Sequence, residues 1–175
     1  EPAILAEELG PFDATFHIPA FLEGGRTTEN GIHYLNGIPV HTTDFGHDNI
    51  FGFSTSNLAK WIEEKSFGKI QAKNILHVKI KQLDMAFNDE DGFESLLKFL
   101  SKLENNTSVV VDAKLPHHLE TLVNAIKVVS KEKRFLFRTA ASFINSLSAL
   151  PPNPKCTADL VSLKSKNNEY KYKPG

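Results

Sequence analysis

From Ile75 to Leu147, short apolar runs alternate with amphipathic stretches, and this alternation restricts the fold more than any other feature of the chain. Ile75-Leu-His-Val-Lys-Ile reads as a strand, and Asp91 to Leu103 reads as an amphipathic helix. Ser108-Val-Val-Val-Asp is a short apolar strand ending in an acid. Pro116 to Lys131 follows as a helix with Leu119, Leu122, Val123, Ile126 and Val129 on one face. Phe135-Leu-Phe is the next strand and Ala140 to Leu147 the next helix. Parallel strands need long crossovers, and helices of this length provide them. The expected fold is α/β: a mostly parallel sheet flanked by helices.

The first half adds an insertion. Phe12 to Phe21 reads as a strand, because Pro19 would break a helix there. Gly31 to Val40 alternates and carries Asn36-Gly37, which predicts an inserted β-hairpin. His41 to Phe53 is irregular. Ser56 or Asn57 caps a helix with Leu58, Trp61 and Ile62 on one face, so Trp61 is expected in the core. The first ten residues read as a helix closed by Gly10.

Bulk properties exclude several functions. The net charge is −1, which gives no general attraction to nucleic acid or an acidic membrane. No apolar run is long enough to span a bilayer. The single cysteine, Cys156, allows no disulfide within the chain and no cysteine-based metal site, and it favours a reducing, cytoplasmic setting. Residues 1–150 are expected to form one partial α/β domain and residues 151–175 a polar linker or tail. With no initiator methionine and a polar end, the chain reads as a piece of something longer.

Ligands of open α/β sheets collect at the carboxyl ends of strands. Four such ends carry polar residues here. The first leads to Glu23-Gly-Gly-Arg-Thr-Thr, the second to Lys81-Gln-Leu-Asp, the third to Asp112-Ala-Lys and the fourth to Arg138-Thr-Ala-Ala-Ser. At the fourth, Thr139 would cap the next helix, and Arg138 beside a helix N-terminus would suit a carboxylate or phosphate. The alternative is a plain cap, with Arg138 paired to an acid such as Asp112. At the first, Gly24 and Gly25 either turn the chain or let backbone approach a ligand. Thr27 and Thr28 either meet a polyol or hold the loop. His41, Asp44, His47 and Asp48 lack a helical frame that would gather them around a metal, and His117-His118 reads as a solvated helix start. No metal ligands are assigned. No phosphate loop ending in Gly-Lys-Ser or Gly-Lys-Thr occurs.

Taken together, these segments resemble the four-carbon acid sugar kinase family. Pro19-Ala-Phe-Leu-Glu-Gly-Gly-Arg-Thr-Thr is similar to that family's Pro-Ala-Phe-Pro-Glu-Ala-Gly-Arg-Thr-Thr segment. Asn30-Gly-Ile-His-Tyr-Leu-Asn-Gly-Ile-Pro-Val-His-Thr-Thr-Asp-Phe resembles its hairpin and following turn, and Asp48 and Ser54-Thr-Ser-Asn-Leu fit the next block. Lys133-Arg-Phe-Leu-Phe-Arg-Thr-Ala-Ala-Ser-Phe fits a further block closely. The order holds over roughly residues 11 to 150. Departures are Leu22 for proline, Gly24 for alanine, Asp44 for glutamate and Asn49 for proline.

The resemblance implies part of an N-terminal domain that binds a sugar acid such as threonate, erythronate or an oxo-tetronate. It implies a substrate-binding set of Glu23, Gly25, Arg26, Thr27, Arg138, Thr139 and Ser142, with Arg26 on the carboxylate. The family's ATP-binding domain and two of its sugar-domain blocks have no counterpart in this sequence. ATP and magnesium therefore belong to the parent kinase and not to this chain, which alone is expected to be catalytically inactive and to associate with those other segments. The rival expectations are a non-catalytic module for a small hydroxy acid and a structural remnant.

Overall fold

The computed structural model describes residues 2–149. The tail expected at 151–175 lies outside the described residues. Seven strands and six α-helices are present among them. The strands are β1 (Ala14–Ile18), β2 (Arg26–Glu29), β3 (Ile32–Leu35), β4 (Ile38–Pro39), β5 (Leu76–Val78), β6 (Thr107–Val111) and β7 (Phe135–Thr139). The helices are α1 (Pro2–Leu9), α2 (Leu58–Lys65), α3 (Ile80–Asn88), α4 (Glu90–Ser101), α5 (Pro116–Val129) and α6 (Ala141–Ser148).

Four strands make a parallel sheet in the order β5-β6-β1-β7. The other three make an antiparallel sheet in the order β2-β3-β4. The α/β expectation with an inserted hairpin is borne out. No helix among the described residues is long and apolar enough to cross a membrane.

All five residues of β1 are buried, as a strand covered on both faces requires. Side chains alternate along it. Ala14, Phe16 and Ile18 join Leu83, Leu100, Leu119, Leu122 and Phe143 in the main core. Full burial of each large side chain in that set contributes roughly 1.5–3 kcal/mol. Phe16 meets Phe135 edge-on at 5.2 Å and stacks on Phe137 at 5.6 Å, which ties β1 to β7. A smaller cluster of Leu58, Ile62 and Val110 seats α2 separately.

Three local readings are corrected. The strand expected over Ile75 to Ile80 ends at Val78, and Lys81-Gln-Leu-Asp lies inside α3. Gln82 accepts a hydrogen bond from the Lys79 backbone N–H at 2.9 Å and starts the helix. Leu83 and Ala86 then enter the core at helical spacing. The hairpin is longer than expected: Arg26-Thr-Thr is strand β2 and not loop. Its turn to β3 is Asn30-Gly31, with φ of 51° and 73°, matched by Asn36-Gly37 at 49° and 80°. Thr139 ends β7 and does not cap α6, whose cap position is Ala140 with no side-chain bond.

The two sheets are stitched together at the end of β6. Thr28 and Ala113 exchange two backbone hydrogen bonds of 2.9 Å each. The Asp112 carboxylate, 1% exposed, accepts from the backbone N–H of Asn30 and of Gly31, both at 2.9 Å. On the α2 side, the Leu58 N–H donates to the Gly31 carbonyl at 2.8 Å.

Candidate functional site

Because the four main strands are parallel, their carboxyl ends lie together. The hairpin sheet and α2 lie beside that end and border a cavity of about 170 Å³. Its polar wall is His17, Arg26, His33, Thr55, Ser56 and Arg138, and its apolar wall includes Val40, Phe45, Phe53, Leu58, Trp61 and Ile62. A second, more open cleft of about 470 Å³ adjoins it, lined by Pro19, Phe21, Arg26, Arg138 and Thr139 to Ala141. Pro19, Arg26 and Arg138 line both.

The two arginines reach this junction from different sheets. Arg26 opens β2, after the chain has turned at Gly25 with φ 69°. A side chain at Gly25 would meet the Asn36 Oδ1 at 2.0 Å, so the glycine both turns the chain and makes room for the next turn. Phe21 and Arg26 close that turn with two backbone bonds of 2.9 Å, and the Arg26 guanidinium lies 5.2 Å from the Phe21 ring. Arg138 lies near the end of β7, paired in register with His17. Its guanidinium sits 4.5 Å over the Trp61 ring. Trp61 packs, half-buried, against the Leu58, Ile62 and Val110 cluster, and its other side is cavity wall.

Two histidines sit against these charges. His17 is 5% exposed, and both ring nitrogens lack a hydrogen-bond partner among the described residues. Burial, with Arg138 beside it, pushes its pKa down to about 4. His33 is also held down to about 4, by burial and then by Arg26. Its Nδ1 lies 3.0 Å from the Thr28 hydroxyl. Both rings are therefore neutral at pH 7. An orphaned buried imidazole costs roughly 1–3 kcal/mol, so His17 is not there for stability.

The remaining sequence candidates lie as follows. Glu23 accepts a hydrogen bond from the Ser142 hydroxyl, and that hydroxyl also receives the Leu22 N–H at 2.9 Å. The bond from Ser142 holds the Glu23 carboxyl below its ordinary pKa. The pair fastens the turn before β2 onto α6. Thr27 sits within β2 opposite Tyr34. Glu23, Gly25, Thr27 and Ser142 line neither cavity, whereas Arg26 and Arg138 line both and Thr139 lines the open one. Asp112 is engaged by the hairpin turn, with His77 Nε2 at 2.9 Å from its Oδ1. The sequence reading assigned no binding role to His17, His33, Phe45, Phe53, Thr55 or Ser56, the last weighed only as a helix cap. A single imidazole inside the otherwise apolar Phe16-to-Ile18 run was the available signal for His17.

His117-His118 is not a solvated helix start. His118 is 2% exposed, and its Nδ1 accepts from the backbone N–H of Lys114 at 3.0 Å and of Leu115 at 3.3 Å. The ring proton is then on Nε2, which faces Asp84 Oδ1 at 3.0 Å, while His117 Nε2 lies 3.1 Å from the same oxygen. Asp84, His117 and His118 could in principle gather around a cation. A cation bound by His118 would have to displace that proton while Nδ1 still accepts, and it would face the positive end of α5. His118 caps the start of α5, and Asp84 holds its ring in place.

A deep cleft at the carboxyl edge of a parallel sheet, with two guanidinium groups and neutral imidazoles on one wall, has the chemistry to hold a small anionic ligand. The chain matches the family model described as "Sugar-binding N-terminal domain" over residues 1–147, and it belongs to that family. A solved Haemophilus influenzae protein of the DUF1537 family is similar, with a TM-score of 0.58 and 21% identity, covering 85% of this chain and 32% of that one. A Bordetella bronchiseptica DUF1537 domain, solved as a domain-swapped dimer with bound citrate, gives a TM-score of 0.56 and 20% identity, covering 78% of this chain and 29% of that one. This chain thus spans about a third of the length of these structures. No curated protein matches its sequence.

Proposed function

We propose that this chain binds the carboxylate of a four-carbon sugar acid and forms part of the acid-binding half of an ATP-dependent sugar-acid kinase. The observation that carries the reading is the shared wall: Arg26 and Arg138, delivered by different sheets, both line the smaller cavity and the more open cleft. Guanidinium groups pair with carboxylates through parallel N–H donors. Thr139 borders the open cleft. Glu23, Gly25, Thr27 and Ser142 set the turn and strand that present Arg26. The citrate held by the Bordetella bronchiseptica neighbour supports a small-acid ligand.

Magnesium does not fit this cleft, because among the described residues no carboxylate lines either cavity. ATP and its metal would be held by other segments, and the chain's own part is binding and orientation.

The test is the thermal unfolding midpoint of the chain with threonate, erythronate and magnesium-ATP in turn. A ligand of the folded state at a hundred times its Kd adds about 2.7 kcal/mol, and a domain of this size then gains several degrees. The midpoint is expected to rise with a sugar acid, to stay level with magnesium-ATP alone, and to lose the rise in Arg26→Ala and in Arg138→Ala. Equal shifts in wild type and both variants would refute the arginine reading.

A further inference from the structure

We propose that His17 is the specificity-determining residue of this cleft, hydrogen-bonding the hydroxyl on the carbon next to the carboxylate of a 2-hydroxy acid. The inference rests on the acid-binding reading above and adds a requirement that the arginines do not impose. His17 lines the smaller cavity, and its register partner across the sheet is Arg138. Register partners on neighbouring strands point to the same face, and both side chains line this cavity, so one small ligand held there can meet both.

The ring is built in without a protein partner. The other nearby histidine, His33, has Thr28 beside its Nδ1, whereas neither His17 nitrogen has a partner among the described residues. The little exposure that His17 keeps does not fall on those nitrogens. The second torsion of a histidine is soft, so a bound hydroxyl can draw a nitrogen round to the cavity by turning the ring. A neutral imidazole carries one donor and one acceptor. Whichever nitrogen meets a hydroxyl can serve it, as donor or as acceptor, whereas a carboxylate only accepts and is served by the guanidinium groups. A leucine at this place would pack against the adjacent cluster of Leu58, Ile62 and Val110 without an orphaned polar atom.

The test is calorimetric titration at pH 7 of threonate, erythronate and their 2-deoxy analogues into wild type, His17→Leu and His17→Gln. Wild type is expected to bind a hydroxy acid at least about tenfold more tightly than its deoxy analogue. His17→Leu should bring the hydroxy acid down to the deoxy affinity, with deoxy binding changed less than about threefold. His17→Gln, which keeps a donor and an acceptor, should restore part of the preference. A second readout stands apart from the variants: the imidazole nitrogen resonances of His17 should move on adding the hydroxy acid and stay put with the deoxy acid. A preference that survives in His17→Leu, or resonances that move equally with both acids, overturns the inference while the arginine reading stands. Wild type binding both acids equally does the same. If wild type binds neither acid, both readings fall together.

Discussion

Asp112 holds two backbone N–H groups of the Asn30-Gly31 turn on one buried carboxylate, at the point where β6 ends. That turn is the far end of the strand that begins with Arg26. The position of a cavity-lining guanidinium thus depends on an acid that lines neither cavity. Replacing the carboxylate by a methyl group leaves both donors buried without a partner. Asp112→Ala is expected to cost about 3 kcal/mol in urea unfolding, and Asp112→Asn about half of that, because the amide retains one acceptor oxygen. Both should weaken sugar-acid binding more than they change secondary structure by circular dichroism. Unchanged urea midpoints in both variants would show that the turn is held by its own backbone. Arg138 teaches a similar lesson from the other side of the site. In sequence it had two readings, an anion ligand or a partner for Asp112. In the structure Asp112 is engaged by the hairpin and His77, and Arg138 stacks over Trp61 at the cavity wall.

At the scale of elements, α3 and α4 meet at Gly92. Asp89 ends the first helix and caps the second, accepting from the Gly92 N–H at 2.6 Å. A Cβ on Gly92 would lie 2.4 Å from the Met85 carbonyl oxygen and 2.5 Å from its carbon. Backbone cannot yield as a side chain can, so Gly92→Ala should separate the helices and cost about 2 kcal/mol, despite alanine's better helix propensity. Glu94→Ala, on the exposed part of the same helix, is the control and should leave the urea midpoint nearly unchanged. This helix pair also shows what the sequence could reveal. The periodic face of α5 and the Asn36-Gly37 turn were legible, because a long apolar stripe and a positive-φ dipeptide each have one good structural solution. α3 was not, because Leu76-His-Val runs into Ile80 with no glycine or proline between, and its cap is a glutamine three residues inside the helix. β2 was not, because Gly24-Gly25-Arg-Thr-Thr fits a loop locally. It becomes a strand only when β3 folds back on it and Ala113 pairs with Thr28. The cavity's aromatic wall was hidden for the same reason, since Phe45, Phe53 and Trp61 converge only through tertiary contacts.

At the scale of the whole molecule, burying two neutral imidazoles among guanidinium groups makes stability depend on pH in a defined window. His17 and His33 titrate near 6.5 when unfolded and near 4 when folded. Between those values the unfolded chain binds more protons than the native one, so stability falls as pH drops from about 6.5 to about 4. Each histidine contributes up to about 3 kcal/mol to this loss. The carboxyls of Asp13, Glu23 and Asp84 are all held below their ordinary values. Their stabilisation is present above the unfolded carboxyl range and is lost only as pH falls through the lower folded values, so they act mainly below the histidine window. Urea midpoints at pH 7.0, 6.0 and 5.0 should therefore decline steadily in wild type. In His17→Leu the decline should be about half as steep, and the variant should equal or exceed wild type at pH 5.0. A wild-type midpoint that stays flat from pH 7.0 to 5.0 would mean that both rings protonate in the native state without resistance. The cleft would then carry two more positive charges below neutrality than its burial implies, and acid affinity would rise steeply over the same range instead of remaining level.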